Sequence, residues 1–427
     1  MRVAVVGAGI AGLAAAHELA RTPGAEVHVF DAAPRPGGHA YTVDVEENGA
    51  TFPVDLGFIV YNEPNYPVFS RLLRDLDVET VESSMGFSVS DRGTGIEYSG
   101  ENARSMLAAP GNALKPQFWS MLRDLRRFWR EGDAALAALD AGENPGTETL
   151  GAFCDRARLG EPFRRLFLRP MAGAIWSMPR RDIDAFPALT LLRFFHNHGL
   201  LAATGQPAWR TVRGGSRSYV TALVGTLTAL GVGVHLGAAI ERVERDSRDV
   251  TLRIAGQQSR FDEVVFACHS DTALELLGDA DTNERSILGA IRYREQDVVL
   301  HCDRSLLPRH RRAWASWNVS TGGRESDPIA ISYWMNRLQP LPTETPWCVT
   351  LNQSERIEPA TIRHRLVFAH PQLDLGAVAA QARWSEISGH RHTHFCGAYW
   401  RYGFHEDGAW SGVRAATGIA TSRREAQ

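Results

Sequence analysis

The sequence predicts an α/β protein, α+β overall, organised around a Rossmann-like nucleotide-binding domain. Three observations carry this. Residues 2–6 (RVAVV) are a short β-branched run of the kind found in a buried parallel strand. Gly7, Gly9 and Gly12 follow in the spacing GxGxxG and lead into an apolar helical stretch through Ala11, Ala14, Ala15 and Leu19. A second strand, residues 26–30, then ends on Asp31, close to the ~20-residue offset expected of a ribose-binding carboxylate. Gly7 permits the tight turn, Gly9 lets the backbone approach a pyrophosphate, and Gly12 lets the helix pack closely on the strand. The helix N-terminus favours the phosphate charge. An apolar stretch behind Met1 and Arg2 could also be the core of a secretory leader. A leader needs neither this glycine spacing nor a following strand that ends in an acid, and no small-residue cleavage site follows.

The rest of the chain fits this class. At 427 residues, with 44% apolar and 22% charged residues and a net charge of −3, the composition is that of an ordinary globular protein and excludes an electrostatic drive towards nucleic acid. The five cysteines are scattered and form no CxxC, which argues against a disulfide framework or a thiolate zinc site. No run approaches the ~20 apolar residues of a membrane span, so a cytoplasmic location is expected. The stretch QFWSMLRDLRRFW places Phe118, Met121, Leu122, Leu125, Phe128 and Trp129 on one helical face, a core stripe or a lipid- or partner-binding one, which leaves peripheral membrane contact open. RAWASWNV, PIAISYWMN and WCVTLN read as strands of a second sheet. GVGVHLG, residues 231–237, has glycines but opens no helix and reads as a turn. With no second nucleotide fingerprint, oxygen, a quinone or a redox partner is the expected electron acceptor if a redox cofactor is bound.

The residues after the fingerprint name that cofactor. DAAPRPGGHAYT carries Asp31, Arg35, the pair Gly37-Gly38 and His39, and resembles the extended FAD fingerprint of the flavin amine oxidase superfamily, which includes monoamine oxidases, protoporphyrinogen oxidases and phytoene desaturases. Five further segments resemble family motifs in the family's order: residues 53–67, 212–223, 238–246, 261–269 and 394–416. The resemblance implies non-covalent FAD in a glutathione-reductase/amine-oxidase type domain. It also implies that Gly57 and Phe58 lie against the flavin and that the backbone around Val243 meets adenine. Gly397 and Ala398 would approach the ribityl and phosphate part, and Phe404, His405 and Glu406 would open a last helix whose N-terminus faces the flavin. The implied FAD domain is discontinuous, residues 1–90, 205–275 and 390–427, with an α+β substrate domain from 91–204 and 276–389. His39 stands where amine oxidases usually have arginine. The wording VDLGFIVYNE, FPALTLLRFFHNHGLL and FCGAYWRYGFHEDG also resembles a bacterial subgroup often encoded beside cyclopropane fatty-acid synthase-like methyltransferases, which implies by association a fatty-acyl or lipid substrate.

The family's oxidases use a lysine near flavin N5, and Lys115, the only lysine, lies in the helical insert. Dehydrogenation or oxygenation of a hydrophobic molecule is therefore expected ahead of amine oxidation; an isomerase or mutase without net redox change is the third reading. His39, Tyr61, Glu63 and Tyr66 lie in segments that the resemblance puts near the flavin, and each is a candidate proton shuttle. His196 and His198 sit among Phe194, Phe195, Leu200 and Leu201, as a polar handle in an apolar pocket or as solvent-facing loop histidines. His269 reads as structural. His390, His392 and His394 alternate as on one face of a strand, without an adjacent acid in sequence, and no metal is expected.

Overall fold

A computed structural model describes residues 1–143, 146–202, 205–322 and 329–425. Its organising element is a five-stranded, all-parallel sheet in the order Gly233–Leu236, Glu26–Asp31, Arg2–Val6, Glu263–Phe266, Thr393–Phe395. Three remote stretches of chain thus meet side by side. The central strand is buried from Val3 to Val6, as a parallel strand covered on both faces must be. The stretch read as a turn at 231–237 is in fact the edge strand Gly233–Leu236 of this sheet. Its glycines masked a strand whose pairing with residues 28–31 is decided by tertiary contact.

The first helix, Ile10–Leu19, lies between this sheet and the last helix, His405–Glu425, and all its residues but Glu18 are buried. Gly408 and Gly412 make that crossing possible. A Cβ at Gly412 would stand 2.1 Å from the Ala11 carbonyl oxygen, and one at Gly408 would stand 2.8 Å from Ile10 Cγ2. A three-stranded antiparallel ribbon, Ile240–Arg245, Val250–Ile254 and Gln257–Phe261, stands beside the parallel sheet.

The second layer is a seven-stranded mixed sheet in the order Ile362–Gln372, Arg292–His301, Cys348–Leu351, Ala330–Trp334, Trp317–Thr321, Phe87–Asp91, Ile96–Ser99. The three strands read from alternating β-rich runs all appear in it. Phe87–Asp91 is already part of this sheet, paired in parallel with Trp317–Thr321, so the chain passes to the second layer before residue 90. Residues 203, 204, 426 and 427, at the expected domain edges, lie outside the described residues. Helix Pro116–Asp140 packs Phe118 and Met121 against Val89, Ile96 and Tyr98 at the edge of this layer and also packs against helix Ala188–Asn197. Phe118, Met121 and Phe128 of the predicted stripe are buried in the core, while Leu122, Leu125 and Trp129 are partly so. No helix among the described residues is long and apolar enough to cross a membrane.

The alternating histidines do not form a strand face. Arg391 and His392 have positive φ, 50° and 59°, and the strand begins only at Thr393. An acid does lie beside two of them: His392 Nδ1 and His394 Nε2 each stand 3.4 Å from Glu263, supplied by the neighbouring strand. Among the described residues no group of three such side chains could hold a metal ion.

Candidate active site

At the C-terminal end of the parallel strands, two glycine loops lie against each other. Gly7 turns at φ 114° and donates its N–H to the Phe30 carbonyl at 2.7 Å. Gly37 N–H donates to Ala8 O at 2.8 Å, and Gly9 and Gly37 form a parallel bridge. Gly12 is obligatory, because a Cβ there would stand 1.8 Å from Gly7 O. A Cβ on Gly9 would meet nothing within 4 Å, and the helix that starts there has no side-chain cap and no acid in its first turn. An uncapped helix N-terminus facing open space is a site for a diphosphate. Asp31 is held beside it, accepting the N–H of Ala8 at 2.7 Å and that of Ala33 at 2.8 Å. Its partly exposed carboxylate keeps lone pairs for two ribose hydroxyls. These residues fit the diphosphate and ribose of FAD.

Arg35 acts on the loop itself. Its guanidinium donates to the carbonyls of Pro36, Gly38 and Ala40 and lies 3.9 Å from the Tyr41 ring centroid. The loop then presents His39, with Gly57 packed beneath it. A Cβ on Gly57 would be 2.0 Å from His39 O, and Phe58 N–H donates to the same oxygen at 3.0 Å. Gly397 donates to Ser411 Oγ at 2.8 Å, and Ala398 opens the short turn Ala398–Trp400 before the last helix.

Deeper in the cleft stand three imidazoles. His39 stacks on Phe368 with ring centroids 4.5 Å apart, and lies 5.6 Å from His370 and 5.9 Å from His269. His370 reaches Ser177 Oγ at 3.2 Å, and His269 stacks on Tyr293 at 4.3 Å. The Tyr293 hydroxyl accepts the Ser270 N–H at 2.9 Å. The three residues are part-buried, neither fully enclosed nor on the outer surface. Burial is also the main cause that holds His39 down to about 3 and His370 to about 4, and that lowers His269; the neighbouring imidazoles add to the first two. Burial thus favours the neutral form of all three, in which one ring nitrogen of each is an acceptor.

An aromatic wall continues from this cluster. Helix Arg169–Trp176 ends on Ser177 in the left-handed conformation, φ 52°, which is strained for a residue with a Cβ. That turn sends Ser177 towards His370 and leaves Trp176 against Phe186 at 4.6 Å and Phe194 at 5.2 Å. Phe404 stacks on Phe194 at 4.9 Å.

The other candidates are placed as follows. His198 is buried, stacked on Phe194 at 4.0 Å, with Nδ1 2.9 Å from Phe194 O; it belongs to the wall. His196 is 57% exposed and faces Asp133 on the outer surface, because the helix turns it away from the wall. Glu63 is exposed, whereas Tyr61 and Tyr66 are buried with Phe69 in the core under the parallel sheet. Burial raises the Tyr66 hydroxyl far above its ordinary range. His405 stacks on Phe58 at 3.8 Å, bonds the Tyr219 hydroxyl at 2.8 Å, and is held by burial at about 3. The Glu406 carboxylate accepts the N–H groups of Val68 and Phe69, capping the helix Pro67–Asp75, while its backbone lies in the first turn of the last helix. One expectation needs correction. Val243 is fully buried and its carbonyl accepts the Gly278 N–H at 2.9 Å, which leaves that oxygen unavailable to adenine. Residues 238–240 are nearer the acid end of the second strand, since Ala238 N–H donates to Asp31 O. Lys115 Nζ donates to Gly95 O on the outer surface, away from the imidazoles.

Sequence reasoning missed the strand Ile362–Gln372, which supplies Phe368 and His370. Its signal was alternation: Arg363, Arg365 and Val367 are exposed, while His364, Leu366, Phe368 and His370 turn inward. Also missed was Asp55, buried where the glycine pair Gly214-Gly215 meets the first layer. It accepts from Thr42 Oγ1 (2.5 Å), Ser216 Oγ (2.7 Å), Ser216 N (3.0 Å) and Gln339 Nε2 (2.8 Å). Burial pushes its carboxyl up to about 6 against the pull of those donors.

A family model described as flavin containing amine oxidoreductase matches residues 10–302. A carotenoid phi-ring synthase from Chlorobaculum tepidum is 25% identical over 282 residues, 62% of this chain and 41% of that protein, so the chain spans about two fifths of that relative's length. Among solved structures, cyclohexylamine oxidase from Brevibacterium oxydans IH-35A superposes with a TM-score of 0.69 at 16% identity over 99% of both chains. A CLA-producing fatty acid isomerase from P. acnes superposes with a TM-score of 0.68 at 14% identity, over 97% of this chain and 98% of that one. At these identities the two structures share the fold.

Proposed function

The chain belongs to the flavin-containing amine oxidoreductase family, and we propose that it is an FAD-dependent oxidoreductase that acts on a hydrophobic, fatty-acyl substrate. Non-covalent FAD would lie with its diphosphate at Gly7–Gly12 and its ribose on Asp31. Its adenine would lie near residues 238–240, and its ring in the cleft beside His39 and Gly57. FAD supplies a two-electron acceptor there. The chain's own residues would bind and orient the acyl chain along Trp176, Phe194 and Phe404, exclude water from it, and take up the proton that leaves with the two electrons. His370 and His39 are the proton acceptors that geometry favours, because both line the cleft and both are neutral.

The observation that carries the substrate class is what surrounds His39: the ring of Phe368 and the imidazoles of His370 and His269, whose charged forms burial disfavours. An alkylammonium beside His39 would lose its hydration against these rings, which costs several kcal/mol. A neutral acyl chain meets no such penalty. The likeness in fold to a fatty acid isomerase supports a scaffold able to hold such a chain. Oxygen, a quinone or a redox partner would reoxidise the flavin.

The test is anaerobic mixing of the flavin-loaded protein with fatty-acyl lipids and, separately, with primary amines. Bleaching of the flavin by acyl lipids alone is the expected result. Bleaching by amines alone would overturn the substrate assignment in favour of an amine oxidase.

A further inference from the structure

Six large apolar side chains are exposed among the described residues, and three of them fall between residues 107 and 119: Leu107 at 43%, Leu114 at 86% and Trp119 at 53%. Such side chains are normally scattered singly. Here the three segments that carry them pack together. The Trp119 indole donates to Ala113 O at 2.9 Å, which pins its ring against the turn Pro110–Leu114 that carries Leu114. Leu107 follows the short helix Ala103–Met106, which packs beside the same turn against the strand Ile96–Ser99.

The surroundings are basic, although the chain as a whole carries a net charge of −3. From Trp119 the exposed face of the helix Pro116–Asp140 continues through Arg123 and Arg126, at i+4 and i+7. Arg104 is exposed beside Leu107. Lys115 sits between Leu114 and the helix, donating to Gly95 O at 2.8 Å. The acids nearby are engaged: Asp124, 1% exposed, is paired with Arg123 and Arg127, and Glu101 is paired with Arg337. Gly95 also lines an open cavity of about 450 Å³ whose rim carries Arg92, Arg309, His310 and Arg356. The carboxylates in its wall are already engaged, Asp91 with Arg165 and Glu97 with the N–H groups of Arg309 and His310.

We propose that this face docks the protein on an anionic lipid bilayer, with Leu107, Leu114 and Trp119 entering the headgroup–acyl boundary and the arginines meeting the lipid charges. Trp on an apolar tip ringed by Arg and Lys matches both the polarity gradient and the sign of that surface. The arginines explain the choice of a bilayer over a second copy of this chain: two such faces would bring like charges together. Docking rests on the fatty-acyl reading for its purpose, since it would bring the substrate domain to a source of acyl chains, but not for its test.

The test is flotation of the flavin-loaded protein with vesicles of phosphatidylcholine alone, or with about 30% phosphatidylglycerol. The protein is expected to float with the anionic vesicles and to be released as salt is raised to about 0.5 M, where surface charge is screened. Leu114→Glu/Trp119→Glu and, separately, Arg104→Glu/Arg126→Glu are expected to weaken binding about tenfold or more while leaving flavin content and thermal midpoint unchanged, because all four side chains are exposed. Equal flotation on neutral vesicles, variants that float as wild type does, or a wild type that never floats and whose dimer is dissolved by the Leu114/Trp119 variant would each overturn docking on anionic lipid. A protein that floats but is never reduced by acyl lipids keeps the docking face and loses the substrate reading; reduction without flotation does the reverse.

Discussion

The nucleotide end of the cleft is made from backbone amides, glycines and one carboxylate, all within residues 7–38. The imidazole end is made from side chains of three segments, at His39, His269 and His370, that come together only in the folded protein. The first end handles charge: an open helix N-terminus and Asp31 offer fixed partial charges to a polar cofactor. The second end avoids charge, with rings that burial keeps neutral. On the proposed reading, the difference teaches that binding and chemistry are separated between the two ends. Binding would then tolerate almost no change in backbone shape, and chemistry would depend on the protonation state of replaceable side chains.

The largest effect is expected where the backbone leaves no room. Gly12→Val would drive a side chain into Gly7 O, and Gly412→Val into Ala11 O. Both are expected to give protein without flavin and without a cooperative unfolding transition, measured by flavin absorbance and thermal melting. A Gly12→Val protein that retains yellow flavin would break the proposed division of labour.

Next is the clamp that joins the layers. Asp55→Asn turns an acceptor into a donor facing the donors of Ser216 and Gln339, so a loss of about 2–4 kcal/mol is expected in denaturant unfolding. At the imidazole end, His370→Phe preserves the ring's bulk. It is expected to slow anaerobic flavin reduction about 100-fold while flavin affinity is unchanged. In the wild type the same rate should hold on acidification until pH falls towards about 4, because protonation of His370 removes the acceptor only there. A limb near the ordinary histidine value of 6.5 would mean that another group accepts the proton.

A smaller effect concerns Asp407, which accepts the N–H groups of Tyr402 and Phe404 at the start of the last helix and which burial pushes up to about 7. A carboxyl raised in the folded state binds its proton more tightly there than when unfolded. Its stabilising contribution is therefore present at low pH and is lost as pH rises from the unfolded value of 3.8 to about 7. Asp407→Asn should flatten the fall in melting temperature over that window. The smallest effect is expected at His196, whose replacement by Ala on the exposed surface should leave both flavin reduction and stability unchanged within about 0.5 kcal/mol.

Legibility followed contiguity. The glycine loop, Asp31, the glycine pair and the last motif are local patterns, and their geometry is set by residues a few positions apart. The imidazole cluster was one-third legible. His39 stood inside a motif, His269 followed a strand and read as structural, and His370 sat on an alternating strand whose inner face had no partner in view. The capping role of the Glu406 carboxylate was hidden for the same reason: its hydrogen-bond partners, Val68 and Phe69, are more than 300 residues away.

By itself the sequence determined the parallel layer with its glycine loop and the cofactor class, because turn geometry and close backbone approach demand particular residues at particular spacings. Only the tertiary structure decided which histidines share a cleft, that they are neutral, and which acids cap helices. Desolvation and long-range hydrogen bonds depend on what packs around a group, and no short stretch of chain encodes that.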